Sequence, residues 1–294
     1  MAYRFANATS LPVCVPNYRL SPAVKHPTHT NDVQAALNHL LSKAHDLRQG
    51  SFYSSPDAGR QPPPTATARH IRFTSLHLIG HSAGAHILGS LFLSPPPLAD
   101  GVSPPSPCYA CSISTLPWRK NPSPSLVRHV RSIICLAGVY NLDLLLRSFP
   151  QESCRLMMID GFGDRDHYVD VDLTTYNRLS SSSSLLVPEE CKRVIDNGIR
   201  WVIVHSQGDS LVDMLQPEAF YKRLMELYPN PNSKESRAEV AYAAKNHNDG
   251  KAKDGSSRNS TVLLDVTTLT EEHSALLETE QLAGLVKDIV LDGR

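Results

Sequence analysis

No charge of either sign prevails in this 294-residue chain: 29 basic residues stand against 29 acidic ones. With no basic stripe and no acidic tail, nucleic-acid or membrane-surface binding has no electrostatic support. No apolar run approaches the ~20 residues that span a bilayer. The opening Met-Ala-Tyr-Arg-Phe leads into polar residues, without the apolar stretch of a secretory leader. A cytoplasmic location is expected. Cysteine is sparse and patternless. Cys108 and Cys111 form a lone CxxC in a proline-rich stretch, with no second pair and no spaced histidines, so neither a disulfide framework nor a metal site is expected. Cys14 and Cys135 lie in apolar runs and read as small buried hydrophobes.

What is present is an ordinary core, cut by polar segments. Hydrophobic residues make up 41% of the chain, and there are 22 prolines. Five short apolar runs bounded by turn signals read as buried parallel strands: Leu11–Pro16, Leu76–Gly80, Ser132–Ala137, Trp201–His205 and Val262–Thr267. Helical patterns alternate with them. One lies around Asp32–Leu41, with Thr30 or Asn31 as N-cap. The others are Ala83–Phe92, Gln216–Tyr228 and Glu278–Leu291. Strand–helix alternation implies an α/β fold, a mostly parallel sheet with helices on both faces. The whole of residues 1–294 reads as a single domain. Three Pro/Ser-rich or Asn/Lys-rich segments, 48–67, 94–125 and 229–260, are expected as disordered insertions, as is the Ser180–Ser184 run.

One stretch carries chemistry. In LHLIGHSAGAHILGS, a strand ends in Gly80-His81-Ser82-Ala83-Gly84 and a helix follows, the context that makes Gly-x-Ser-x-Gly informative. A sharp strand-to-helix turn needs small residues two places either side of the serine, here Gly80 and Gly84. The turn presents Oγ above the sheet and leaves the Ala83 amide as an oxyanion donor at a helix N-terminus. A serine needs a base, and the base needs an orienting carboxylate. In the chain order serine, acid, histidine, the acid follows a late strand: WVIVHSQGDSLVD supplies Asp209 there. Asp213 competes, although it is equally placed to cap the helix near Gln216. The histidine should lie between the last strand and the last helix, where His273 stands. His77, His86 and His205 read as satisfied core or helix-face residues, and His26 and His29 as part of a turn before a helix.

The chain resembles the α/β-hydrolase superfamily, and more narrowly the fungal-type kynurenine formamidases. The residues that carry the resemblance are NYRLSP (Asn17–Pro22), HPTHTNDVQAALNHL, LIGHSAGAHI, LAGVYNL (Leu136–Leu142), HSQGDSLV, and the passage from His273 into the last helix. The resemblance implies a cytoplasmic enzyme that hydrolyses N-formyl-L-kynurenine to L-kynurenine and formate in tryptophan catabolism, without metal or organic cofactor. Its partner is that small molecule, with no nucleic acid or membrane, and a homodimer is an allowed assembly. Ser82 is then the nucleophile, His273 the base and Asp209 its orienting acid. Tyr140 and the region Asp160–Tyr176 fall where such proteins build a cap and a substrate pocket. Relatives carry a His-Gly-Gly-x-Trp motif on the strand before NYRLSP, and its amides complete the oxyanion hole. This chain begins MAYRFANATSLPVCVPNYRLSP and contains no HGG. The resemblance therefore implies an N-terminally short form, with early strands missing and Ala83 as the remaining oxyanion donor. Two further readings stay open: a carboxylesterase or lipase using the same triad on an ester, and a catalytically impaired hydrolase lacking the oxyanion motif.

Overall fold

The computed structural model describes residues 1–48, 75–94, 122–178, 198–228 and 261–291. The segments expected as insertions, and the Ser180–Ser184 run, lie outside these residues apart from their edges. In chain order the main elements are helix α1 (Ala2–Thr9), helix α2 (Thr28–Arg48), strand β1 (Leu76–His81), helix α3 (Ala83–Phe92) and the two-residue strand β2 (Leu93–Ser94). Helix α4 (Pro124–His129), strand β3 (Val130–Leu136), helices α5 (Leu142–Ser148) and α6 (Glu152–Phe162), and the two-residue strand β4 (Asn177–Arg178) follow. Strand β5 (Arg200–Ser206), helix α7 (Leu215–Leu227), strand β6 (Val262–Leu269) and helix α8 (Glu280–Leu291) complete the order.

Four strands form the sheet in the order β1-β3-β5-β6, every neighbour parallel. Their continuous apolar character follows from burial on both faces. Side chains alternate across a strand. Ile133 and Cys135 of β3 and Trp201 and Ile203 of β5 therefore pack into one layer with α2, α3, α4 and α7. Ile134, Leu136, Val202 and Val204 enter the opposite layer with α1 and α8. The two-sided parallel sheet read from the sequence is what the chain builds, and Cys135 is the buried small residue expected of it.

Leu11–Pro16 departs from expectation. It is no strand: the segment bonds to no sheet neighbour, and Val13 and Val15 are 41% and 60% exposed. Cys14, read as buried, is exposed as well. The apolar run reports β propensity, but a strand exists only where a partner takes its backbone groups, and Pro12 and Pro16 offer no N–H. Helix α1 takes a place in the core that the sequence reading left empty. Its Phe5 is buried among the α8 side chains Leu282, Val286 and Ile289. Helix α2 starts at Thr28, ahead of the expected Thr30 or Asn31 cap, because Pro27 precedes it and accepts the first helical bond from the Asn31 N–H (3.0 Å). Helix α4 reaches two residues into the expected 94–125 insertion. Ser123 caps it by accepting the Leu126 N–H, and Pro124 opens its first turn. Asn141 caps α5 in the same way through the Leu144 N–H (2.8 Å). Among the described residues no helix is long and apolar enough to cross a membrane.

Truncation of Phe5 should expose the importance of α1. Phe5→Ala is expected to lower unfolding free energy by about 3 kcal/mol, read as a shift of the urea midpoint. The same measurement on Val15→Ser should move it by less than about 0.5 kcal/mol, as for an exposed residue outside a strand.

Candidate active site

The site lies at the carboxyl ends of the strands, where β1 gives way to α3. Ser82 connects them with φ +53° and ψ −118°, a left-handed conformation that a side chain adopts only under local constraint. Its N–H donates to the Leu136 carbonyl (2.9 Å), which ties the turn to the end of β3. The steric reason for glycine is explicit at Gly80. A Cβ there would lie 2.5 Å from the Gly84 carbonyl group and 2.7 Å from the Ala85 nitrogen. Gly84 differs from the sequence expectation: a Cβ on it would meet nothing within 4 Å. The close approach therefore demands glycine at 80, while at 84 it is the backbone that is pressed, not the side-chain position. Ala83 occupies the first helical position, where the backbone N–H has no intrahelical acceptor.

Two loops from the neighbouring strands β5 and β6 bring Asp209 and His273 together. His273 Nδ1–H donates to Asp209 Oδ2 at 2.7 Å, and both side chains are buried. The other Asp209 oxygen accepts the N–H groups of Leu211 (2.9 Å) and Val212 (2.8 Å). Burial works to raise the Asp209 pKa, but the hydrogen bonds from His273, Val212 and Leu211 outweigh it and hold the carboxyl below its ordinary range. With Nδ1 committed to the carboxylate, Nε2 is the ring nitrogen of His273 left for another partner. Its side-chain hydrogen bond is to Asp209; among the described residues Ser82 Oγ is not bonded to it. Asp213, the competing acid, does not reach His273: its Oδ1 is buried without a partner among the described residues. It does not cap α7 either, since Met214 stands at that position.

The acid and base loops are stitched to one another. Ser206 Oγ donates to the Glu271 carbonyl, and the N–H (3.2 Å) and hydroxyl (2.7 Å) of Ser210 both donate to the Glu272 carboxylate. His205 donates from Nε2 to the Val212 carbonyl (2.9 Å) and lies 3.9 Å from Asp209 Oδ2. A Cβ at Gly208 would collide with the Thr270 carbonyl oxygen, so glycine permits the loops to touch. His86 bonds through Nδ1 to the Val139 carbonyl (3.1 Å). Burial presses its pKa down to about 4. His77 meets the Ser132 hydroxyl at 2.8 Å. His86 and His205 are core histidines, each bonded through one ring nitrogen with the other buried and unpartnered among the described residues, while His77 is half-buried. His26 lies in the turn before α2, whereas His29 is already inside that helix.

Tyr140, expected in the region of a cap and substrate pocket, is fully buried and stacked on Phe220 at 4.1 Å. In the 160–176 region, Phe162 packs against His26 and His86, and Tyr168 joins a small cluster with Leu142, Leu145 and Met158. The residue the sequence reading missed is His81. It donates from Nε2 to the His273 carbonyl at 2.8 Å. Its one sequence signal was its place before the serine. Among the described residues no cluster of three or more His, Cys, Asp or Glu side chains is arranged to hold a metal ion.

Residues 1–95 match the model of a family described as alpha/beta hydrolase fold. No curated protein matches the sequence. Among solved structures, the chain is similar to carboxyl esterase 2 from the mycorrhizal fungus Tuber melanosporum, at 13% identity and a TM-score of 0.46, covering 98% of this chain and 71% of that one. It is similar to an arylesterase at 17% identity and a TM-score of 0.43, covering 97% and 68%. It is also similar to EstE1, a thermophilic carboxylesterase from a metagenomic library, at 13% identity and a TM-score of 0.47, covering 97% and 71%. These likenesses are too distant to carry an activity. The fold itself is the α/β-hydrolase fold: a parallel sheet, a serine on a strained strand-to-helix turn, and acid and histidine following later strands in that order.

The two glycines of the turn should separate cleanly. Gly80→Ala is expected to lower stability by about 1–3 kcal/mol, whereas Gly84→Ala should leave the thermal midpoint level or slightly raised, because the helix gains alanine and nothing is displaced. Protonation of His86 gives a second test. Its folded pKa lies below its ordinary value of 6.5, so the unfolded chain binds the proton first as pH falls. Stability from this residue is complete above about pH 6.5 and is lost on descending to about pH 4, to an extent of about 3 kcal/mol. His86→Gln should flatten the denaturation-midpoint profile across that window.

Proposed function

We propose that the protein is a serine hydrolase of the kynurenine formamidase type, with Ser82 as nucleophile, His273 as general base and Asp209 as the orienting acid. The observation that carries the reading is the 2.7 Å His273–Asp209 hydrogen bond in loops bordering a strained Ser82 turn. An imidazole held through Nδ1 presents Nε2 for the serine proton. Support for the finer substrate assignment comes from the motifs of the resemblance meeting in space. Arg19 of NYRLSP forms a bidentate pair with Asp32 of HPTHTND (2.9 and 2.7 Å), and His26 packs edge-on against His86 of GHSAGAH.

In this reading Ser82 Oγ bonds to the formyl carbon of N-formyl-L-kynurenine as His273 Nε2 takes the hydroxyl proton. The carbonyl electron pair moves onto oxygen, which accepts a hydrogen bond from the Ala83 N–H. Collapse of the tetrahedral intermediate breaks the C–N bond, and His273 delivers its proton to the departing aniline nitrogen, releasing L-kynurenine. Water, deprotonated by His273, attacks the formyl-serine ester. Its collapse releases formate and returns the proton to Ser82. Asp209 stabilises the imidazolium at each stage and keeps it in the tautomer the cycle needs.

The test is formate release from N-formyl-L-kynurenine, run beside a panel of p-nitrophenyl esters. Turnover is expected with the formamide, falling by at least about 10⁴-fold in Ser82→Ala and by about 10⁴-fold in Asp209→Asn. A strong preference for the esters moves the substrate to the carboxylesterase reading. A folded protein with no Ser82-dependent turnover on either substrate class overturns the hydrolase.

A further inference from the structure

An acid–base pair fixes the tautomer of its imidazole but not the distance from that imidazole to the nucleophile. Ser82 and His273 arise from strands at the two edges of the sheet, β1 and β6, with β3 and β5 between them. The stitching of the base loop runs toward the acid: Asp209 to the His273 ring, Ser210 to Glu272, and Ser206 to Glu271. All of these contacts run to the end of β5 or to the loop after it. A rotation of the two loops together would preserve every one of them while carrying His273 away from the serine.

One side chain spans that gap. His81, the last residue of β1 and the immediate predecessor of Ser82, donates from Nε2 to the His273 carbonyl at 2.8 Å. Its ring lies against the His273 ring with centroids 4.6 Å apart and planes tilted by 44°. Among the described residues this is the hydrogen bond that joins the turn at 80–84 to the base loop. Strand alternation explains its direction. His81 shares a face with Ile79, which packs in the α1/α8 layer, and the base loop enters that layer from β6. Ser82 takes the opposite course because its backbone has turned into α3. Burial presses the His81 pKa below its ordinary value, so the ring is neutral and the proton it retains is the one on Nε2. On the other side the turn is fixed by the Ser82 N–H to Leu136 bond and by the contact of Gly80 with Gly84.

We propose that His81 is a positioning residue: by bonding the carbonyl of His273 it ties the base loop to the turn that carries the nucleophile and sets the distance between Ser82 and His273. The proposal rests on the serine-hydrolase reading. It assigns no contact between His81 and substrate.

Three variants test it on the intact chain. His81→Leu keeps apolar volume and removes the donor, His81→Gln keeps a side-chain N–H donor, and Ser82→Ala supplies the background. The rate on whichever substrate the wild type turns over is measured together with the rate of Ser82 labelling by a fluorophosphonate. His81→Leu should lower kcat by about ten- to a hundredfold, as for a small misplacement of a reacting group, with KM and thermal midpoint unchanged and labelling slowed in parallel. His81→Gln should recover most of both rates. Wild-type kcat in His81→Leu, or equal losses in the Leu and Gln variants, overturns the positioning role while leaving the hydrolase intact. Absence of Ser82-dependent turnover in the wild type overturns both.

Discussion

Everything at the site depends on one close approach, the contact of the Gly80 α-carbon with the Gly84 carbonyl. A strand can turn directly into a helix within a single residue only if the two backbones nearly touch. At Gly80 there is no room for even one methyl group. That contact forces Ser82 into its positive-φ conformation, lifts its hydroxyl clear of the sheet and begins α3 at Ala83. The free amide at Ala83 and the oriented Oγ are two results of the same packing event. The strain is opposed by a sheet that is buried on both faces and by the Ser82 N–H bond to β3.

The second half of the site obeys a different logic. Asp209 and His273 sit on loops that have few apolar residues to bury, so their geometry is set by polar contacts. Two backbone N–H groups and one imidazole hydrogen-bond the Asp209 carboxylate, which holds its charge in a buried place. Ser206, Ser210 and Gly208 then bring the loops so near that hydrogen bonds replace a core. The Asp209–His273 part of this network is buried, and the Ser210–Glu272 part lies at the surface.

Much of this was legible in the sequence because the physics is local. Runs such as SIICLA and WVIVH combine branched side chains with no polar interruption, and a parallel strand buried on both faces needs that composition. Ser82, Asp209 and His273 were singled out by where each follows a strand, and each does follow one. What the sequence concealed was decided by partners far away along the chain. LPVCVP has strand composition but no neighbour to bond to. Phe5 lies in a short helix of eight residues at Ala2–Thr9, and its burial depends on α8. His81 looked like a spacer in Gly-x-Ser-x-Gly, and its bond to His273 crosses 192 positions of sequence. Tyr140 sits where a pocket residue was expected, yet its ring fills the core against Phe220.

The direction in which the strands run has a consequence for how this chain can change. Strands β1, β3, β5 and β6 all run the same way, so their amino ends lie together at one pole of the sheet. Ser82, Asp209 and His273 all lie past the carboxyl ends. The sheet thus has one pole at the amino ends of its strands and another that carries Ser82, Asp209 and His273, separated by the length of the strands. A side chain replaced at the amino end of a strand has that whole length between itself and the Ser82 turn.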